Sequence, residues 1–352
     1  MRTALIGFLV AASLAAQTLA SLARSYRESP TAARREALVK FASGRPADAQ
    51  GALALLALGV TAVEAGRYEE ALGYLKKIGS RLPELGDYLA YYQGQALAGL
   101  ERHAEAAGSL SKIAGFQPAS PLAGNAAVAA ARAWLAAGNP AGARAHLESQ
   151  YSRLPQPAGD LTLAAAFEAE GSLAQAAYYA QRVYFGYPLS SEAASAQKQL
   201  ARLRNQLGPD YPPPLASDML ARAGKLFEAG EYRRALREYE ALAAEAGGAD
   251  RELALVRAGS ARLQSGAAEA AWRYLKGLKV TSPEADAERL YYLVQCARRL
   301  EQAEQMLEFI AELERLYPYS EWRLNALVWG GNYYLLRNEP SGYLPLFRAC
   351  YQ

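Results

Sequence analysis

The sequence predicts an all-α solenoid of antiparallel helix pairs, about seven to eight units in two sub-stacks. Three observations predict it. Residues 65–75 read AGRYEEALGYL and residues 229–239 read AGEYRRALREY, nearly the same eleven residues written twice. A small residue, followed twelve positions later by another and twelve later by a helix breaker, recurs through the chain. The 352 residues are 51% apolar and 21% charged, enough to bury a core and too apolar for wholesale disorder.

In chain order, residues 1–23 read as a secretory signal peptide: Met1, Arg2, then the apolar stretch LIGFLVAASLAA and small residues at Ala20 and Ala23. Cleavage after either alanine satisfies the small-residue requirement. An uncleaved anchor helix is the alternative, although the stretch is short for spanning a bilayer. With no cysteine near the cut, a lipid-anchored form is not expected. The protein is therefore expected to be periplasmic or secreted, with no stable membrane span after cleavage. Residues 24–46, with PTAARREALVKFASGRP, are expected to form a leading helix.

The first stack is expected over 47–207. Its twelve-residue steps are Gly59, Ala71, Pro83; Gly94, Ala106, Pro118; Ala131, Ala143, Pro155; and Ala164, Ala176, Pro188. Two helices approach closely only where neither carries a large side chain, so the first two members mark a helix crossing. Gly66, Gly138, Gly171, Gly230 and Gly266 each follow the first small residue by seven and mark the turn. Proline ends the second helix, because it lacks an amide proton and restricts its neighbour. Residues 190–207 add a further helix.

Residues 208–214 hold most of LGPDYPPP and cannot be helical; they read as a stiff extended connector. A second stack, over 215–352, carries Ala223, Ala235, Gly247; Gly259, Ala271, Pro283; and Val294, Met306, Pro318. Gly331 and Tyr343 continue the step, which would reach its terminator at position 355. The stack thus reads as truncated, either the front part of a longer protein or a natural end whose apolar surface a partner covers.

Chemistry is sparse. The net charge of +3 is spread without a basic block, which argues against nucleic acid and against an anionic membrane surface. His103 and His146 lie on second helices of different units without partners at metal spacing. No phosphate-cradling loop or nucleophile motif occurs, so no cofactor, metal or catalytic residue is expected and the chain reads as a non-enzyme. Cys296 and Cys350 belong to helices that are not immediate neighbours, so packing rather than a disulfide is expected.

The spacing resembles the tetratricopeptide repeat family, with Leu58-Gly59, Ala71, Leu75 and Pro83 in the places of its L-G…A-x3-F…P pattern. The early Trp of that pattern is mostly missing. The resemblance implies a right-handed superhelix whose first helices line a concave groove, and a protein or peptide partner. Carried onto this chain, it makes Tyr88, Tyr91, Gln95, Arg132, Tyr291, Gln295 and Asn332 candidate groove contacts, alongside Val128, Leu220, Val256 and Val328. Each ring among them can instead pack between units. The Lys and Asn stripe of the chaperone-tail clamp is absent apart from Asn332.

Residues 182–214 and 315–336, with Tyr-Pro-x-Ser steps at Tyr187 and Tyr317, also resemble the non-catalytic helical region of soluble lytic murein transglycosylases. That resemblance implies peptidoglycan as a partner and a lysozyme-like domain after residue 352. Neither Glu28-Ser29 nor Glu148-Ser149 has the context of the catalytic Glu-Ser pair of that family. The first expectation is an exported interaction scaffold of the cell envelope; the transglycosylase region is the alternative.

Overall fold

Nineteen α-helices and no strand occur among the residues that the computed structural model describes, 18–351. The expected signal segment, residues 1–23, lies mostly outside them. The helices are α1 (Leu19–Glu28), α2 (Ala32–Ser43), α3 (Ala49–Glu64), α4 (Tyr68–Lys76), α5 (Gly86–Gly99), α6 (His103–Ser111), α7 (Ala123–Ala136), α8 (Pro140–Ser149), α9 (Ala158–Ala169) and α10 (Leu173–Gly186). They continue with α11 (Ser191–Leu207), α12 (Ala216–Glu228), α13 (Tyr232–Glu245), α14 (Gly248–Gln264), α15 (Ala268–Gly277), α16 (Pro283–Arg299), α17 (Ala303–Leu316), α18 (Glu321–Leu335) and α19 (Pro340–Ala349).

Contacts divide the chain into two compact units, Met1–Tyr179 and Ala180–Gln352. In the first, α1 packs on α3, α3 on α5, α5 on α7 and α7 on α9, while each second helix fills in between. In the second, α12 packs on α14, α14 on α16 and α16 on α18. First helices touching first helices, with the partner helix outside, is the tetratricopeptide-like arrangement, and each unit is such a stack.

The turn inside each pair follows from one residue. Gly66, Gly138, Gly171, Gly230 and Gly266 all have positive φ, between 71° and 94°. The next amide reaches back five residues, as from Arg67 to Ala62 at 2.8 Å and from Glu231 to Leu226 at 2.9 Å. This is the glycine-closed helix end, in which a left-handed residue lets the chain satisfy the last carbonyls. Glu101, Glu301 and Asn338 occupy the same place in the pairs without glycine, at φ 59°, 58° and 56°.

At the crossing, the sequence pairs each first-helix glycine with the alanine twelve residues later. The structure places the side chain sixteen later against it: a Cβ added at Gly59, Gly94, Gly259 or Gly331 would come within 3.0 Å of Leu75, Leu110, Leu275 or Phe347. The long side chain one helical turn beyond the alanine lies over the glycine and needs its missing Cβ. The alanines are fully buried beside it, Ala71, Ala106, Ala143, Ala176, Ala235 and Ala271 all at 0% exposure, as is Met306. Ala131, Ala164 and Ala223 fill the glycine's place elsewhere and are equally buried.

The prolines depart from their expected role. Only Pro188 and Pro318 follow a second helix within two residues. Pro283 is the first residue of α16 and Pro83 opens a 3-10 turn ahead of α5. A proline at a helix start loses no hydrogen bond, since that amide has no partner within the helix. Pro118 and Pro155 lie in the loops before α7 and α9, and Gly247 N-caps α14.

Two further expectations change. The leading segment is a full helix pair, because Ser29 and Pro30 break it; Tyr26 and Leu38 form its core with Leu19 and Leu22 against them. The Pro-rich connector does not coincide with the division between units, which falls inside α10. Its segment is a 3-10 turn (Gly208–Asp210) and an extended run. It is pinned back onto α10 and α11: the Gln181 amide donates to Pro212 O at 2.8 Å, and Arg204 lies 5.1 Å from the Tyr211 ring centre. Next to it, the carbonyls at and just beyond the C-terminal end of α10 receive three cations from α12 and α13. Arg222 donates to Tyr184 O, Lys225 to Gly186 O at 2.7 Å and Arg234 to Pro188 O at 3.2 Å. Positive charge at that end of a helix meets its negative dipole.

Candidate functional site

The exposed side of the first helices is where a partner has room. In the first unit the apolar residues Leu53, Leu56, Ala57 and Val60 of α3 line a concavity of about 430 Å³, closed at its sides by Arg24 and Arg27 of α1 and Tyr92 of α5. Arg27 reaches Glu64 at 3.8 Å. Tyr92 stands edge-on to Tyr91 at 5.5 Å, and burial pushes its phenol upward. Tyr91 turns the other way, into the packing of Leu110, Ile113 and Ala123. Tyr88 and Gln95 are half-buried and Arg132 is exposed. The residue on this concavity is thus Tyr92, next to the expected Tyr91. The adjacent Tyr91-Tyr92 pair is the only sequence signal for it, and spacing alone does not say which of the two half-buried rings borders the concavity.

In the second unit the side chains gather at α16 and α18. The Tyr291 ring lies 5.1 Å from that of Trp322, and Tyr292 lies 6.1 Å from the same indole. Burial raises the Tyr291 phenol, opposed by the hydrogen bond from the Trp329 indole. The Arg298 guanidinium sits 4.7 Å from the Trp329 ring centre, within cation–π range. Arg298 Nε donates to Gln295 Oε1 at 3.3 Å. Trp329 is 42% exposed, so the cluster presents an aromatic surface with a cation beneath it. Gln295 does not: it is 5% exposed, on a helix buried on most sides between α14 and α18. Val128 and Val256 are likewise core, whereas Leu220 and Asn332 are half-buried and Val328 is exposed.

Deeper in the same unit, Arg257 of α14 and Glu288 of α16 form a two-pronged pair at 3.1 and 3.2 Å between first helices. Burial pushes the Glu288 carboxyl up against the pull of Arg257. Glu252 accepts from the Ser282 and Thr281 amides and the Thr281 hydroxyl at 2.7–3.0 Å, capping the start of α16 and holding its own carboxyl below the usual range. These groups are committed to holding helices together.

The Tyr-Pro-x-Ser steps have the same kind of role. Ser190 caps α11 by accepting from Ala193 N, and Ser320 caps α18 by accepting from Trp322 N. The Tyr317 hydroxyl donates to Asp286 at 2.8 Å, and burial and that bond push it up to about 12. Tyr ends one helix, Pro prevents its continuation and Ser starts the next.

His103 begins α6 and His146 packs edge-on against Trp134 at 5.0 Å in α8. Cys296 is fully buried, its thiol pushed by burial up to about 12, and Cys350 is half-buried; both are free thiols. Among the described residues no group of three or more His, Cys, Asp or Glu side chains is placed to hold a metal. No described helix is long and apolar enough to cross a membrane.

No family profile and no curated protein matches the chain. Solved structures that resemble it are helical-repeat proteins. The APC/C hetero-tetramer Cut9–Hcn1 matches at 14% identity and TM-score 0.33, over 92% of this chain and 56% of that one. Naa15/Naa10 bound to HypK-THB matches at 13% and 0.37, over 95% and 58%. The TPR domain of P58(IPK) matches at 12% and 0.28, over 94% and 96%. The chain spans little more than half the length of the first two. Likeness at these scores carries no argument about activity, and the fold rests on the helix contacts above.

Proposed function

We propose that this protein is an exported scaffold of the cell envelope, without a catalytic site of its own, that binds a protein or peptide on the exposed side of its first helices. The observation that carries the reading is the concavity over α1, α3 and α5. It has an aliphatic floor, one amphipathic ring at Tyr92 and two arginines at the rim, a composition suited to an apolar segment with acidic flanks. A photo-crosslinking residue at Tyr92 should capture an envelope protein, whereas the same residue at the exposed Gly108 of α6 should not. Equal capture at both positions would defeat the proposal.

Export rests on the apolar segment ahead of α1. A cut after Ala20 keeps Leu22 on the Tyr26 core, whereas a cut after Ala23 removes both Leu19 and Leu22 from it. Cell fractionation with N-terminal sequencing should therefore find a periplasmic chain beginning at Ser21; an intact N-terminus in the cytoplasm would refute export. The transglycosylase reading gains no second support, because the Tyr-Pro-x-Ser steps that suggested it serve as helix stops and caps.

A further inference from the structure

Three ring-stacked arginines of the second unit also hold a carboxylate. Arg222 lies over Tyr184 and pairs with Glu238, Arg262 over Tyr274 with Glu240, and Arg337 over Tyr333 with Glu301. Arg298, 4.7 Å from the Trp329 ring centre, pairs with none among the described residues, and the groups that act on its charge are Arg299 and Tyr291. Its Nε is committed to Gln295 Oε1 at 3.3 Å, and its terminal nitrogens bond nothing. That bond fixes the Gln295 amide, because the oxygen must face the guanidinium and Nε2 must point away from it. Gln295 is 5% exposed and its Nε2 has no hydrogen-bond partner, a costly state for a buried donor. The amide stands beside the Tyr291 hydroxyl, and the Trp329 indole N–H donates to the same oxygen. The Tyr291 ring is held 5.1 Å from that of Trp322, which fixes where this hydroxyl sits. Every group that acts on the hydroxyl is a donor or a cation, so its own proton lacks an acceptor.

We propose that Tyr291 and Arg298, backed by Gln295 and Trp329, form a binding site for one carboxylate group. Both contact residues meet at the Trp329 indole, Tyr291 at its N–H and Arg298 over its ring, which brings side chains two helical turns apart to one place. One carboxylate oxygen accepts from the Tyr291 hydroxyl and the other from a terminal nitrogen of Arg298. A phenol that donates to an anion becomes a better acceptor, so the ligand strengthens the bond from the indole and gives Gln295 Nε2 the acceptor it lacks. Arg299 is engaged with Leu263 O and Gln264 Oε1 at 2.6 and 2.7 Å. The site therefore offers one guanidinium and neutral donors, a match for a single negative charge rather than for the higher charge of a phosphate. The rings of Tyr292 and Trp322 beside it suit a flat or apolar group attached to that carboxylate. The site lies wholly in the second unit and does not rest on the concavity over α1, α3 and α5.

Fluorine NMR on the full chain tests this with para-fluorobenzoate, a flat carboxylate, and para-fluorobenzamide, its neutral counterpart. The benzoate should bind saturably with a Kd of about 1 mM, the level expected of one ion pair with few further bonds, and the benzamide should not. Arg298→Gln and Tyr291→Phe should each weaken binding about tenfold at an unchanged helical melt, the phenylalanine keeping its ring against Trp322. Arg204→Gln should leave binding unchanged: that arginine also stacks on a ring, Tyr211, without a carboxylate, but no orphaned donor stands beside it. Displacement by acetyl-Ala-Glu-Ala-amide supports the site and assigns its carboxylate to an acidic side chain of a partner. Benzoate binding that this peptide leaves untouched supports the site for a small free acid. Displacement by an equal concentration of inorganic phosphate overturns the carboxylate assignment. The proposal also falls if nothing saturates up to about 20 mM, if the benzamide binds equally, or if affinity survives Arg298→Gln.

Discussion

At the scale of single residues, the left-handed turn positions are where chemistry and geometry disagree most openly. Glu101 and Glu301 sit at φ 59° and 58°, where a Cβ crowds its own carbonyl. Such a residue costs about 1–2 kcal/mol, and glycine returns part of that gain through its freer unfolded chain. Glu101→Gly should therefore stabilise the first unit by about 0.5–1 kcal/mol, read as a higher urea midpoint at unchanged slope. A lower midpoint would mean that the Glu101 side chain holds the turn in another way. His146 gives a pH-dependent counterpart. Burial lowers its pKa below the usual 6.5, and Nε2 has no hydrogen-bond partner. The unfolded chain thus takes up the proton first as pH falls. Stability present above pH 6.5 declines below that value until the folded-state pKa is passed. His146→Gln should shrink the drop in melting temperature between pH 7 and pH 5; an identical drop in both proteins would show that other groups cause it.

At the scale of elements, the C-terminal end of α10 is held by side chains rather than by a repeat rule. Arg222 is 5% exposed, lies 3.6 Å from the Tyr184 ring centre and donates to Glu238 at 2.9 Å. Arg222→Met keeps most of the packing volume but leaves Glu238 and the Tyr184 carbonyl without their cation. Because Glu238 remains partly solvated, the loss should be about 2 kcal/mol, below that of a fully buried broken pair. Chemical denaturation of the second unit measures it. Arg222→Lys should recover only part, since a point charge cannot bond both groups and stack on the ring.

At the scale of the whole molecule, repeat stacks draw stability from each unit and its immediate neighbours, so cuts between natural cooperative blocks are tolerated. Ala180–Gln352 is one such block by its contacts, and the cut that preserves it must keep α10 intact. A fragment of residues 173–352 should fold as a helical protein with one cooperative melt. A fragment of residues 215–352, cut at the Pro-rich segment, loses α10 and α11 and the partners of Arg222, Lys225 and Arg234. It should melt at least several degrees lower. Equal melting would restore the Pro-rich segment as the boundary.

The sequence by itself determined the helix pairs after the leading segment, their turns and the first-helix position of each crossing, because each depends on one residue type at a short, repeated distance. A turn that needs positive φ selects Gly66 or Gly230, and a crossing that excludes a Cβ selects Gly59 or Gly259. Tertiary structure decided what lies on either side of each helix. Spacing could not distinguish Tyr91 from Tyr92, bury Gln295 while exposing Val328, or fold the Pro-rich segment onto α10. Those outcomes depend on which side chains from other helices cover each position, and local periodicity carries no record of them.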